Sequence, residues 1–418
     1  MFSKMKTTKF LLAGLLAVAS AHLASAATTI RITGSTAFRA ATYSAIDHIL
    51  NSGYTSAFTG ASVSSAGQAI FSGTTVTGNY PVVIKTSFSG SVGGIQSVTQ
   101  QINTLVWLKD SVLPGSGSTA NVSTSIPGNV ETAIADVTMS DSIQNSTTYR
   151  SPALTKIKVG VVPFVWVRNN GAPSTISNIT PLLARSLLSY GAPLSMFSNN
   201  ASDASMMVFP IGRDQDSGTR LAAFAETGYG TLTPPGQYKV NLSGTTITSA
   251  ELYPVNTVLG VTYDIGTSGY ASGSNVKTAL NATGSDTAPV YDTTSGAIGS
   301  GATLISSGAW YVGYLGTSDA SGVTGVTVND TTGWTGSALT YNGVPYSPTN
   351  VREGSYTFWT YEWLMYRNSG TNALTGTGKT VADQLANKIL TVDAAVSGIL
   401  VSTMHVSRAV EGGIITHN

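Results

Sequence analysis

The sequence predicts an α/β protein with more than one domain. Three stretches share one form, an apolar strand, a Gly/Ser/Thr turn and then a helical pattern: Gly34-Ser35-Thr36, Ser89-Gly90-Ser91-Val92-Gly93-Gly94 and Ser217-Gly218-Thr219. The chain has 418 residues, enough to bury a large core and normally to form more than one domain. Its longest apolar run beyond Ala26, from Lys158 to Val167, suits a long buried strand that passes from one lobe to another.

The chain opens with a leader. Lys4, Lys6 and Lys9 make a basic start, Phe10 to Ser20 is mostly apolar, and Ala24-Ser25-Ala26 fits a small-residue cleavage site. Residues 1–26 therefore read as a secretory signal peptide cleaved near Ala26, with an apolar run too short to span a membrane. The expected location is periplasmic or secreted. The leader carries three of the 21 basic residues, which leaves 18 against 20 acidic ones, a net charge of −2. No basic field exists to attract nucleic acid or anionic lipid. The absence of cysteine excludes disulfides, thiolate catalysis, zinc–thiolate sites and a lipid anchor on an N-terminal cysteine. Only 10% of residues are charged, and Gly, Ser and Thr abound. A β-rich surface protein would share that composition and is the main structural alternative.

Taken in order, Thr28 to Thr33 alternates like a strand, and a helix follows with Phe38, Ala41, Ile46 and Ile49-Leu50 on its apolar face. His48 falls on this helix, where a lone histidine is more often a surface or packed residue than a ligand. Residues 54–80 read as a loop or hairpin. Pro81 to Phe88 is a second strand, and Ile95, Val98, Ile102 and Leu105 mark the helix after it. Residues 113–128 are a loop. Asp141 follows the mostly apolar approach Ile134-Ala135-Asp136-Val137, which suits either a strand end inside a cleft or a helix N-cap. Thr180 caps a helix with Pro181 at its first position and Gly191 beyond its end.

Met206 to Ile211 then reads as a buried strand leading into Gly212-Arg213-Asp214-Gln215-Asp216-Ser217-Gly218-Thr219-Arg220, with a helix from Leu221 that stops near Gly228. Residues 229–300 are the least regular part. Ala302 to Ile305 reads as helical, Ala309 to Gly316 as a strand, and Ser355 to Tyr366 as an aromatic-rich strand whose rings pack in the core. Val381 to Leu390 and Val392 to Val401 read as two closing helices.

The three turns share a chemistry. The first N–H groups of a helix lack partners and lie at the positive end of its dipole, so an anion binds readily there. In an open α/β sheet, ligands sit beyond the carboxyl ends of the strands. Three such turns meeting there would surround a small oxyanion, and Arg213 would grip it with a planar fork. An ordinary capped surface helix with a structural Arg–Asp pair is the plainer alternative. Asp141 repels an anion unless the ligand carries a proton to donate, as phosphate does near neutral pH and sulfate does not.

The chain resembles the periplasmic phosphate-binding proteins, the substrate-binding components of phosphate ABC transporters. The residues that carry this are Ile32-Thr33-Gly34-Ser35-Thr36, Gly90 to Ile95, Ala135 to Ser142, Arg213 to Thr219, Tyr311 to Tyr314 and Gly343 to Thr349, in the family's order. The resemblance implies an α/β, two-lobed type II periplasmic binding protein fold with a ligand cleft between lobes. The first lobe would hold residues 27–162 plus 356–418, and the second lobe would hold residues 163–355. Crossover strands would lie near Val159–Val167 and Tyr356–Tyr366. It implies phosphate contacts from Ser35, Thr36, Ser91, Asp141, Arg213, Ser217, Gly218 and Thr219. Where the family often has an Asp-Gly pair before Ser-Gly-Thr, this chain has Gln215-Asp216, so the Asp that steadies the Arg is displaced to Asp214 or Asp216. Residues 229–300 match the family poorly.

The expected function is capture of inorganic phosphate or a similar oxyanion by a monomer, for delivery to an ABC permease in the inner membrane, with no enzyme activity, cofactor, metal or nucleic acid. The alternative is a secreted structural or adhesive protein on the same fold. A hydrolase using Ser217 or Ser91 is disfavoured. Of the three histidines beyond the leader (His48, His405 and His417), none has a motif neighbour, and Gly-x-Ser-x-Gly is absent around those serines.

Overall fold

The computed structural model describes residues 26–293 and 302–418. Apart from Ala26, the signal-peptide reading lies outside the described residues. No helix among them is long and apolar enough to cross a membrane.

An eleven-stranded sheet runs through the molecule. Its strands are β1 (Thr28–Gly34), β2 (Thr55–Phe58), β3 (Gln68–Thr74), β4 (Pro81–Ser87), β5 (Thr119–Asn121), β6 (Val137–Ser140), β7 (Thr155–Arg168), β8 (Ala192–Pro193), β9 (Met207–Ile211), β10 (Ala309–Gly316) and β11 (Trp359–Tyr366). Their order is β8-β9-β10-β7-β11-β6-β1-β4-β3-β2-β5. The strands that precede Asp141 in the chain stand on one side of the β7–β11 pair, and those between Ala192 and Gly316 stand on the other.

Register explains where the strand ends meet. The first part of β7, Thr155 to Pro163, pairs antiparallel with β11, and its last part, Phe164 to Arg168, pairs antiparallel with β10. β1, β4 and β6 are mutually parallel and antiparallel to β11, so they run with β7. β9 is parallel to β10, so both run against β7. The two groups are offset along β7 and point toward each other. Ser140 ends β6 beside Trp363, which pairs with Lys158, while Gly316 ends β10 beside Phe164. The carboxyl ends of both groups thus converge on the middle of β7. The molecule is a two-lobed α/β protein whose strand ends face one another across a central cleft.

Helices follow the strands: α1 (Arg39–Ile49), α2 (Ser91–Gln100), α3 (Pro181–Leu188) and α4 (Gly218–Glu226). At α3 the sequence reading holds in atomic detail, since the Leu183 N–H donates to Thr180 Oγ1 with Pro181 at the first helical position. Residues 54–80 contain the β2–β3 antiparallel pair.

Five local expectations are corrected. Residues 113–128 are not all loop, because Thr119–Asn121 forms β5, paired parallel with Ser56–Phe58 of β2. The helix after β4 ends at Gln100, so Ile102 and Leu105 lie beyond it. Ala302 to Ile305 is not helical, because Thr303–Ser306 forms a strand paired antiparallel with Val290–Asp292. That pairing belongs to a separate four-stranded sheet with Tyr238–Ser243 and Thr246–Leu252. The aromatic strand starts at Trp359, not Ser355. The second closing helix shrinks to Ala394–Ser397, joined to Gly376–Lys388 by a wide turn at Ile389–Asp393.

Candidate functional site

Each half brings its turns to the cleft by a different route. After β1, Ser35 is pinned by its N–H to the Met139 carbonyl at 2.8 Å, which ties this turn to the end of β6. Here the three-junction expectation needs correction. α1 starts only at Arg39 and has no side-chain cap, so Ser35 and Thr36 lie on the turn ahead of the helix rather than at its first N–H groups. Thr36 is half-buried on the turn. Ser35 is buried, and its hydroxyl has no hydrogen-bond partner among the described residues.

Ser91 is the first residue of α2 and is buried. Its Oγ accepts the Asp141 N–H at 3.2 Å, so the second turn and the end of β6 are in direct contact. The next N–H groups of α2 are not open to a ligand. Val92 and Gly93 both donate to the Asp216 carbonyl, at 2.8 and 3.2 Å. A main-chain oxygen from the other half thus takes the place expected for an external oxyanion at this helix end.

In the other half, Ser217 caps α4, its Oγ accepting the Arg220 N–H at 3.2 Å. Gly218 and Thr219 open the helix and are buried. Asp141 reaches across to this turn. A β-carbon at Gly218 would overlap Asp141 Oδ1, so only glycine lets the carboxyl rest against the helix end. Asp141 is therefore not a helix cap but a buried carboxylate in the cleft.

Arg213 is held from several sides. Its N–H donates to Tyr314 Oη at 3.2 Å, Tyr314 donates to Gln237 Oε1 at 2.6 Å, and Gln237 Nε2 donates back to the Arg213 carbonyl at 3.0 Å. The guanidinium donates from Nε to the Tyr270 carbonyl at 3.0 Å and from Nη2 to the Ala271 carbonyl at 2.9 Å. The fork is thus oriented by main-chain oxygens rather than by a carboxylate. Arg220, also buried, donates to the carbonyls of Arg213 and Thr267.

The electrostatics are dominated by buried acids. Burial pushes Asp141 up to about 6, against the pull of the Ser91 hydroxyl and Arg213, while Glu411 pushes it further up. Burial likewise raises Asp214 to about 6 against Arg213 and Arg220. Asp216 rises to about 8 through burial and then the Asp214 charge, with Arg213 opposing. A cavity of about 320 Å³ opens beside this cluster, lined from both halves by Val92, Tyr149, Ser217, Arg220 and Tyr263 among others.

The structure thus joins Ser91, Asp141 and Gly218 in contact and sets Arg213 close enough for its charge to act on Asp141. Ser35, Thr36, Ser217 and Thr219 lie on the same converging turns. Sequence reading missed the bridging carbonyl of Asp216. It also missed Glu411, which accepts the N–H of Ile143 at 2.5 Å and the Ser146 hydroxyl. A third omission, Glu362, left a visible trace: a lone carboxylate within the aromatic run Trp359 to Tyr366.

The fold and cleft define a two-lobed α/β protein with a buried polar centre rich in acidic residues. No protein-family model matches the chain. No curated protein matches it either. Solved structures similar in chain course include a phosphate ABC transporter substrate-binding protein with bound phosphate from Clostridium perfringens, at 14% identity and TM-score 0.41, covering 89% of this chain and 99% of that one. An ABC-type phosphate transport receptor from Vibrio cholerae is similar at 12% identity and TM-score 0.40, covering 89% and 99%. PstS from Borrelia burgdorferi follows at 11% identity and TM-score 0.38, covering 89% and 98%.

Proposed function

We propose that this protein captures inorganic phosphate, or an oxyanion that likewise carries a proton, in the cleft between its lobes and delivers it to an ABC permease. The first lobe comprises residues 27–162 plus 356–418, and the second lobe comprises residues 163–355. Binding and closure are the whole mechanism, with no bond made or broken. The observation that carries this reading is the buried Asp141 carboxyl, set against the Gly218 turn with Ser91 and Arg213 beside it. Arg213 and the helix end favour negative charge, while Asp141 tolerates an anion only if that anion donates a proton. The arrangement selects a protonated oxyanion and leaves sulfate with a repulsive contact.

Calorimetry on the mature, ligand-stripped protein tests this. Phosphate is expected to bind with heat that excess sulfate does not abolish, and Asp141→Asn is expected to relax the discrimination. No heat with phosphate from a folded protein overturns the reading.

A further inference from the structure

Glu362 is a deeply buried acid that the site above does not use. It lies at mid-strand on β11 and is 0% exposed, and neither carboxyl oxygen has a hydrogen-bond partner among the described residues. The pairing of Trp363 with Ser140 places Glu362 one step on, beside Asp141, and Glu362 itself pairs with Gly160 of β7. The face is fixed by Gly160, where a β-carbon would meet the Phe38 ring at 2.6 Å and Ala394 at 3.1 Å. The Glu362 side chain therefore points under the turn that carries Ser35. The Ser35 hydroxyl faces it closely enough to favour its charged form, yet falls short of hydrogen-bond geometry, so Ser35 Oγ is also unpaired among the described residues.

Among the described residues, no cation offsets this acid. Asp141 bears on it from just past the end of β6, Ser35 from just past the end of β1, Gly160 from β7, Phe38 from the turn before α1, and Ala394 from the short helix Ala394–Ser397. Lys158 lies over the Tyr361 and Trp363 rings, on the opposite face of the strand. Glu411 and Arg213 act on Asp141. A buried carboxylate beside another carboxylate, with no compensating charge, holds its proton.

We propose that Glu362 is a positioning residue for the oxyanion site: when an anion is bound, the neutral acid keeps its proton and donates a hydrogen bond to Ser35 Oγ, and so turns the serine's own hydrogen toward the bound anion. A hydroxyl has one hydrogen and two lone pairs. An ionised Glu362 would take that hydrogen and present lone pairs to the ligand, which repel an anion. The protonated acid reverses the direction of the bond. This assignment rests on the phosphate reading.

The test combines infrared difference spectroscopy with phosphate calorimetry at pH 7.5 on wild type, Glu362→Gln, Glu362→Leu, Ser35→Ala and the Glu362→Leu/Ser35→Ala double variant. The wild-type minus Glu362→Gln spectrum is expected to show the carbonyl stretch of a protonated carboxylic acid. Glu362→Gln, whose amide also donates to Ser35, is expected to keep phosphate affinity within about threefold. Glu362→Leu and Ser35→Ala are each expected to lose tenfold or more, and the double variant no more than Ser35→Ala alone. Absence of the acid band overturns the assignment even if Glu362→Leu does not fold. So does a tenfold loss in Glu362→Gln, or fully additive losses. If wild type binds phosphate and these results fail, this assignment falls alone. If wild type binds no phosphate, the phosphate reading falls and takes this one with it.

Discussion

The carboxyl of Asp141, at the end of β6, rests against the α-carbon of Gly218, at the start of α4, with no room for a methyl group between them. Two residues far apart in the chain thus close the cleft by direct contact. Gly218→Ala should cost the closed form about 1–3 kcal/mol through overpacking. Thermal unfolding of the ligand-free protein is expected to show a lowered midpoint. The double variant Gly218→Ala/Asp141→Ala should be no less stable than Asp141→Ala. An unchanged midpoint for Gly218→Ala would show that the two residues are not in contact.

Stability should fall as pH rises. Asp141 and Asp214 titrate near 6 and Asp216 near 8 in the folded protein, all above the ordinary carboxylate value. A raised carboxyl pKa means that the folded state holds its proton more tightly than the unfolded chain. The stability it contributes is complete below about pH 4 and is lost as pH climbs through the folded value, at about 1.4 kcal/mol for each tenfold difference in proton affinity between the two states. Glu131, held low by Lys85 and Arg31, acts in the opposite sense but only within the ordinary acid range. Calorimetric scans are expected to give a higher midpoint at pH 5 than at pH 8. Asp216→Asn should flatten the difference, and a midpoint that rises over this interval would contradict the cluster's protonation.

Arg213→Lys should not be a conservative change. The guanidinium donates simultaneously to the Tyr270 and Ala271 carbonyls, a two-point grip that an ammonium cannot reproduce. Phosphate affinity is expected to drop tenfold or more in an isothermal titration, with the far-ultraviolet spectrum unchanged. Wild-type affinity in Arg213→Lys would remove Arg213 from the site.

The C-terminal segment fastens the cleft from behind. Arg408 Nη1 donates to Glu226 Oε2 at 2.8 Å, with side chains 2% and 8% exposed, and Arg408 also donates to the carbonyls of Trp359 and Thr357. Glu226 ends α4, while Glu411 holds the segment after Asp141. Arg408→Met leaves a buried carboxylate uncompensated and should cost about 3–5 kcal/mol. Urea unfolding is expected to show this as a shifted midpoint, with substantial recovery in Arg408→Met/Glu226→Leu. A shift below about 1 kcal/mol would show that the buried pair contributes no more than an ordinary surface contact.

What the sequence determined by itself was local. Periodicity and turn chemistry marked β1, β4, β9 and β10, the capped start of α3 at Thr180 and Pro181, the long strand β7, and the turns carrying Ser35, Ser91, Arg213 and Ser217. These follow from interactions within a short span of chain, so the order of residues is enough to write them. The tertiary structure decided everything that depends on partners far apart in the chain. Thr303–Ser306 became a strand because Val290–Asp292 offers it an edge, against its own helical pattern. The first turn of α2 gave its N–H groups to Asp216 because the opposing half lies close enough to supply an acceptor. Asp141 became a cleft acid, and Glu362 an unpaired one, only once the sheet removed them from water. Burial and long-range hydrogen bonding set those roles; a short stretch of sequence marks the candidate, as the lone Glu362 in its aromatic run does, but not the distant partners that decide it.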